Sequence, residues 1–360
     1  MIRLPVSIGE ALDKLTILDI KCKRIQDRQR REFCKQEYDM LYEELKPYVE
    51  SHSFYYKQLY TVNEDIWITQ EIARDKLDLT KCIEILNKND MRFRIKDVIN
   101  QAAKSYIREQ KGYPKRRALV ISHLGLGDQV GLIGAIRYIA LSHDETVVVC
   151  KAKYAHNVAS FFSDNPTIKL WPIPYEHGYI PGKGPTDTRP GECVEYSPED
   201  WTNVYRSGFY TYPRSSMNDL PSNFYRDMGI DPEIRHTHFH VPTYQGAIDL
   251  YKKVEDQPYI FVQQISSSHR TNLVRWNPDD ILTIDPNINV YPEGHKWHSL
   301  AQEFVNQPFI HYTELIKHAK EIHTVDSSFY CLAYHLPLDA EVKKCYDRPT
   351  GKVLEDHVFH

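Results

Sequence analysis

The chain has 360 residues, 41% hydrophobic and 26% charged, which is ordinary globular usage and argues against a disordered or fibrous protein. Its 45 basic and 49 acidic residues leave a net charge of −4, so no global field recruits nucleic acid or an anionic membrane. The longest apolar runs, at 118–121 and 130–136, fall far short of the roughly 20 residues a bilayer requires, so no transmembrane segment is expected. The opening segment meets Gly9, Glu10 and Asp13 too early for the apolar core of a secretion signal, and a cytoplasmic location is expected. Seven cysteines, widely spaced and with no CxxC pair, predict free thiols rather than a disulfide framework or a zinc site.

Residues 1–112 read as helix. Ser7 with Glu10 three positions on forms a capping box and starts a first helix. Ile8, Leu12, Leu15, Leu18, Cys22 and Ile25 make its apolar stripe, with Asp13, Lys21 and Arg24 on the other side. Ile17 and Ile20 lie off the stripe and predict a second contact face. Further helices are expected over about 29–49, with Met40, Leu41 and Leu45 buried, over 54–74 and over 79–110. No glycine lies between Gly9 and Gly112, which suits continuous helices.

At KGYPKRR the character changes, and a domain boundary is placed there, after residue 112. Strand 118–122, helix 129–141, strand 146–150, helix 155–162 and strand 167–170 follow, an alternation that marks a parallel sheet with covering helices. A stretch rich in Pro, Gly, Tyr and Ser over 172–256 predicts long loops. The alternation then resumes: strands at 259–264 and 288–291, helices at 299–305 and 313–320, a buried strand at 321–325 and a helix holding Cys331, Leu332 and Ala333. The expected organisation is a helical bundle (1–112) followed by two Rossmann-like α/β lobes (113–256 and 257–360) with a cleft between them.

Three loops hold the candidate chemistry. The first, His123-Leu-Gly125-Leu-Gly127-Asp128, joins a strand to a helix; its glycines admit close approach, and the helix start favours negative charge. Asp128 is either a helix cap or a general base at the sheet's carboxyl edge. The second, Asp326-Ser327-Ser328, ends a buried strand before a helix and either caps it or offers hydroxyls and N–H groups to a diphosphate. The third, at the end of strand 259–264, carries Ser268 and Arg270, whose guanidinium suits a leaving diphosphate, although so polar a loop is also read as simply solvated. Tyr291 is placed at the border of a nucleobase or sugar. His236, His238 and His240 alternate on a predicted strand, but nothing completes a metal set, and no metal or cofactor is expected. Tyr205, Tyr210, Tyr212 and Tyr225 are candidates for sugar stacking, against ordinary packing.

The segments HLGLGDQVGLIGAIRYIA and DETVVVCKAKYAHNVASFFSDNPTIKLWPI resemble the N-terminal lobe of the heptosyltransferase-like GT-B glycosyltransferases. Residues 312–336 resemble the donor-binding segment of GT-B enzymes, with Ala319, Lys320, Ile322, Asp326 and Ser327 on its pattern. The resemblance implies a nucleotide-sugar donor, a glycan or other hydroxyl acceptor, a hexosyl- or pentosyl-type transfer with inversion, Asp128 as base, and Gly125, Gly127 and His123 on the acceptor side. Residues 3–113 resemble a bacterial helical family found beside sugar-transfer genes; the resemblance implies no chemistry, and a bundle for dimerisation or docking is the expected role, with a homo-oligomer formed through these helices as one form of it. A nucleotide-sugar-binding scaffold without turnover and a nucleotide-sugar epimerase remain as alternatives.

Overall fold

The computed structural model describes residues 4–75, 78–122, 125–174, 179–180, 184–185, 194–207, 220–266, 269–273, 281–357 and 359. By compactness the chain divides into two units. One comprises Met1–Ala118, Tyr138–Thr146 and Asp164–Lys169; the other comprises Leu119–Arg137, Val147–Ser163 and Leu170–His360.

The first unit contains helices α1 (Ile8–Arg24), α2 (Arg28–Ser51), α3 (Ser53–Asp75) and α4 (Leu79–Ala102). The Ser7 hydroxyl accepts the Glu10 amide at 3.3 Å and starts α1; Asp27 and Asp78 cap α2 and α4 in the same way. Leu12, Leu15, Leu45, Leu59, Val62, Ile95 and Ile99 share one core. Ile20 is buried, as a second contact face requires.

Three expectations are corrected in this unit. Asp13 is not on a solvent face: it is 3% exposed, accepts from Arg92 Nε and Asn63 Nδ2 at 2.8 Å each, and is thereby a buried carboxylate with its counter-charge. Met40 is 58% exposed, so α2 contributes Leu45 but not Met40 to the core. Helix α4 stops at Ala102 rather than 110, because Lys104 adopts φ 52° and closes a Schellman turn, with the Ser105 amide on the Asn100 carbonyl at 2.8 Å and the Lys104 amide on Gln101. A lysine in this left-handed position gives no glycine signal.

The chain continues through β1 (Arg117–Ile121), α5 (Leu126–Gly131), α6 (Ile133–Ala140), β2 (Glu145–Lys151), α7 (Ala155–Phe161) and β3 (Ile168–Ile173). A two-residue pair, β4 (Tyr179–Ile180) and β5 (Gly184–Pro185), precedes β6 (Asn203–Arg206), and the first sheet has the order β3-β2-β1-β6. Next come α8 (Leu220–Asp227), α9 (Ile234–Thr237) and α10 (Gln245–Tyr251). The single helix expected over 129–141 is two. Tyr225 inserts its hydroxyl at the break, donating to the Gly131 carbonyl at 3.1 Å and accepting from the Ala135 amide at 3.0 Å, where an unbroken helix would join those two groups.

The second sheet is built from β7 (Tyr259–Gln263), β8 (Leu282–Ile284), β9 (Glu321–Val325) and β10 (Val342–Tyr346), with α11 (His298–Gln302), α12 (Thr313–Lys317) and α13 (Ser328–His335) between them. Its order is β10-β9-β7-β8 and every pairing is parallel, with Ile260 opposite Glu321 and Tyr259 opposite Leu282. The loops after all four strands therefore emerge at one edge. Residues 288–291 are not a strand: Asn289 Oδ1 accepts the Tyr291 amide at 3.1 Å, a side-chain turn that takes the backbone out of any ladder.

Candidate active site

The site lies wholly in the second compact unit. It is a cavity of about 1110 Å³. Its lining includes Gly125, Gly127 and Asp128 after β1, Asn157 on α7, Gln263 and Ser266 after β7, Asn287 after β8, Asp326, Ser327 and Ser328 after β9, and Arg348 after β10.

Asp128 stands in the first turn of α5, whose N-cap is Gly125. It is therefore not the N-cap residue that the simpler sequence reading allowed; it sits three residues in, where the carboxylate folds back over the cap. A β-carbon at Gly125 would meet Asp128 Oδ2 at 2.6 Å, so only glycine leaves the carboxylate in this position. The neighbouring Gln129 is 1% exposed and donates from Nε2 to Ser122 Oγ at 3.1 Å and to the Val149 carbonyl at 3.3 Å, which fixes α5 to the ends of β1 and β2.

The start of α13 lines the same cavity and packs against α5. Ser327 is the α13 N-cap: the hydroxyl accepts the Phe329 amide at 3.3 Å and donates to Gln263 Oε1 at 2.7 Å. The hydroxyl proton is thus already used by the fold, and what this helix start offers an anion is its backbone N–H groups and dipole. A β-carbon on Gly127 would lie 3.5 Å from the Ser328 amide nitrogen and 3.3 Å from Cys331 Sγ, so α5 and α13 approach nearly backbone to backbone. Burial raises the Cys331 thiol well above the usual range, and the charges of Asp326 and Asp128 raise it further, which keeps it neutral between them. Burial lowers the Lys151 ammonium, with Lys153 adding to the effect and Asp128 opposing it.

Of the residues expected from sequence, Gly125, Gly127, Asp128, Asp326, Ser327 and Ser328 are brought together here. Arg270 is exposed, bridged to Ile265, and does not line the cavity. Tyr291 is likewise absent from it: the ring is 4% exposed, stacks on His295 and accepts the Thr283 amide at 2.7 Å, so it is part of the core. Tyr225 is core as well, while Tyr205 is half-buried on β6 away from the lining. His123, Ser268, Tyr210 and Tyr212 lie outside the described residues. The three alternating histidines are not on a strand: His236 lies in α9, His238 caps it with burial holding its pKa down at about 4, and the His240 carbonyl accepts Arg137 Nε at 2.8 Å. Among the described residues no group of three or more His, Cys, Asp or Glu is disposed to hold a metal ion. The described cysteines are free thiols.

Sequence reasoning missed three contributors. Arg235 reaches the cavity with Nη2 donating to Tyr334 Oη at 2.6 Å. Phe309, Tyr312 and Phe329 form an aromatic wall, with the Phe309 and Phe329 rings 4.8 Å apart. Arg348 lies in the turn Asp347-Arg-Pro-Thr-Gly351, where the Asp347 carboxylate accepts the Thr350 amide at 3.0 Å and Gly351 takes φ +66°. That D-x-P-T-G turn, directly after a strand of a parallel sheet, is the available signal for it.

No family model and no curated protein matches the chain. Among solved structures, similarity is found to the iron-containing dodecameric glycosyltransferase TibC of enterotoxigenic E. coli, at 14% identity over 71% of each chain with a TM-score of 0.40. The same heptosyltransferase in complex with ADP-D-beta-D-heptose gives 14% identity over 71% of each chain and a TM-score of 0.39. A glycosyl transferase of family 9 from Veillonella parvula gives 13% identity over 64% of this chain and 86% of that one, with a TM-score of 0.38.

Proposed function

We propose that the chain is a glycosyltransferase of the two-lobed GT-B kind, moving a sugar from a nucleotide-diphosphate sugar to a glycan or other hydroxyl acceptor. The observation that carries this reading is the placement of Asp128 and the α13 N-terminus on one cavity. They are also the two segments whose sequences resemble the acceptor and donor sides of that enzyme class. The Asp128 carboxylate acts as general base on an acceptor hydroxyl as its oxygen attacks the anomeric carbon, and the amide end of α13 faces the charge that develops on the departing diphosphate. A direct displacement of this kind inverts the anomeric centre and needs no covalent intermediate.

The proposal carries a domain scheme: a helical bundle to residue 112, an acceptor lobe to 256 and a donor lobe to 360, in a cytoplasmic enzyme. Self-association through the helices is proposed with it, on the exposed face of α4 where Leu79, Ile83 and Leu86 follow helical spacing. Product analysis against nucleotide-activated hexoses, pentoses and heptoses tests the function. Sugar appearing on the acceptor with matched nucleoside diphosphate release supports transfer. Modified sugar formed without an acceptor, or binding without turnover, contradicts it.

A further inference from the structure

We infer that Arg348 is the cation that holds the donor diphosphate, in the role the sequence suggested for Arg270. The inference rests on the donor reading above, but it is carried by separate observations. Arg348 lines the same cavity as Ser327 and Ser328, whereas Arg270 does not. Its guanidinium is anchored along one edge only: Nε donates to the Asp326 carbonyl and Nη2 faces the Asp326 carboxylate at 3.4 Å. The remaining nitrogen, Nη1, has no partner among the described residues, and the side chain is 36% exposed.

The backbone around it is held as firmly as the head group. The Arg348 carbonyl accepts the Thr271 hydroxyl, the Asp326 amide donates to the Tyr346 carbonyl at 3.0 Å, and the Asp347 side chain closes the turn. A planar fork held on one edge presents its other edge in a fixed orientation, which suits two oxygens of a phosphate better than a flexible ammonium would. Asp326, which Arg348 holds, directly precedes the α13 N-cap Ser327, and both line the cavity with Arg348, where the helix dipole already favours an anion. Arg348 accordingly recognises the diphosphate and leaves the nucleobase to other parts of the cavity.

Calorimetric titration of the full-length chain with nucleoside diphosphates of the common bases, and with the matching nucleosides, tests this. For Arg348→Gln, diphosphate affinity should fall about tenfold to a hundredfold, the scale of losing a hydrogen-bonded charge, while nucleoside affinity stays within about threefold of wild type. Arg348→Lys, which keeps the charge and guards against misfolding of the first variant, should fall between the two because it lacks the fork. Arg270→Gln should change neither affinity. Unchanged diphosphate binding in both Arg348 variants overturns the inference. So does an equal loss of nucleoside and diphosphate, which would make Arg348 only a brace for Asp326. A wild-type chain that binds none of the diphosphates overturns the donor reading itself, a distinguishable result.

Discussion

A β-carbon on Gly125 would stand 2.6 Å from Asp128 Oδ2, so the glycine at the α5 N-cap and the carboxylate in its first turn occupy mutually dependent positions. Gly125→Ala should displace the carboxylate while leaving the fold nearly intact, since the atom it strikes is the end of a side chain. Turnover should fall about a hundredfold, the scale of misplacing a reacting group by an ångström, with donor affinity and melting temperature close to wild type. Steady-state kinetics with parallel thermal melts measure this, and a loss of stability matching the loss of activity would argue against it.

Gly9 is constrained by backbone instead. A β-carbon there would lie 2.5 Å from the Lys96 carbonyl oxygen, and its amide donates to Asn100 Oδ1 at 2.7 Å, so α1 and α4 cross at contact distance. Gly9→Ala should destabilise the helical unit by about 1–3 kcal/mol, as overpacking does, despite alanine's better helix propensity. Chemical denaturation followed by circular dichroism reads this; a stabilised variant would mean that the crossing relaxes freely.

Asp285 supplies a pH dependence. Burial pushes its carboxyl up to about 6, against hydrogen bonds from the Asn287 amide and Gln264 that act to lower it. A folded-state pKa above the unfolded value means that, between roughly pH 4 and 6, the folded chain holds a proton that the unfolded chain has released. Stability therefore falls as pH rises through that window, by at most about 3 kcal/mol for a shift of about two pH units. Unfolding free energies of the wild type and Asp285→Asn, measured from pH 4 to pH 7.5, should show the wild type losing ground to the variant as pH rises. Parallel profiles would contradict the assignment.

What the sequence made legible was periodic or punctuated. The Ser7 cap, the strand–helix alternation around β1, β2, β7 and β9, and the Gly-Asp and Asp-Ser loops all have local signatures, and the two loops do line one cavity. What it hid depends on partners far along the chain. Asp13 reads as a surface charge until Arg92 is brought to it, and the break after Gly131 exists because Tyr225 enters it. Arg270 looked like the phosphate ligand because it follows a strand of the parallel sheet, as Arg348 does. Only the folded arrangement separates an exposed guanidinium from one on the cavity. The helix expected to run to residue 110 failed at Lys104, a left-handed residue that carries no glycine to announce it.

Asp128 as a base rather than a donor ligand is tested most directly by one comparison: glycosyl transfer and donor binding by Asp128→Asn beside wild type, with a true acceptor. The predicted result is a fall in turnover of about a hundredfold to ten-thousandfold, the range for loss of a positioned general base, with donor affinity kept within about threefold. Near-normal turnover by the variant would contradict the central claim.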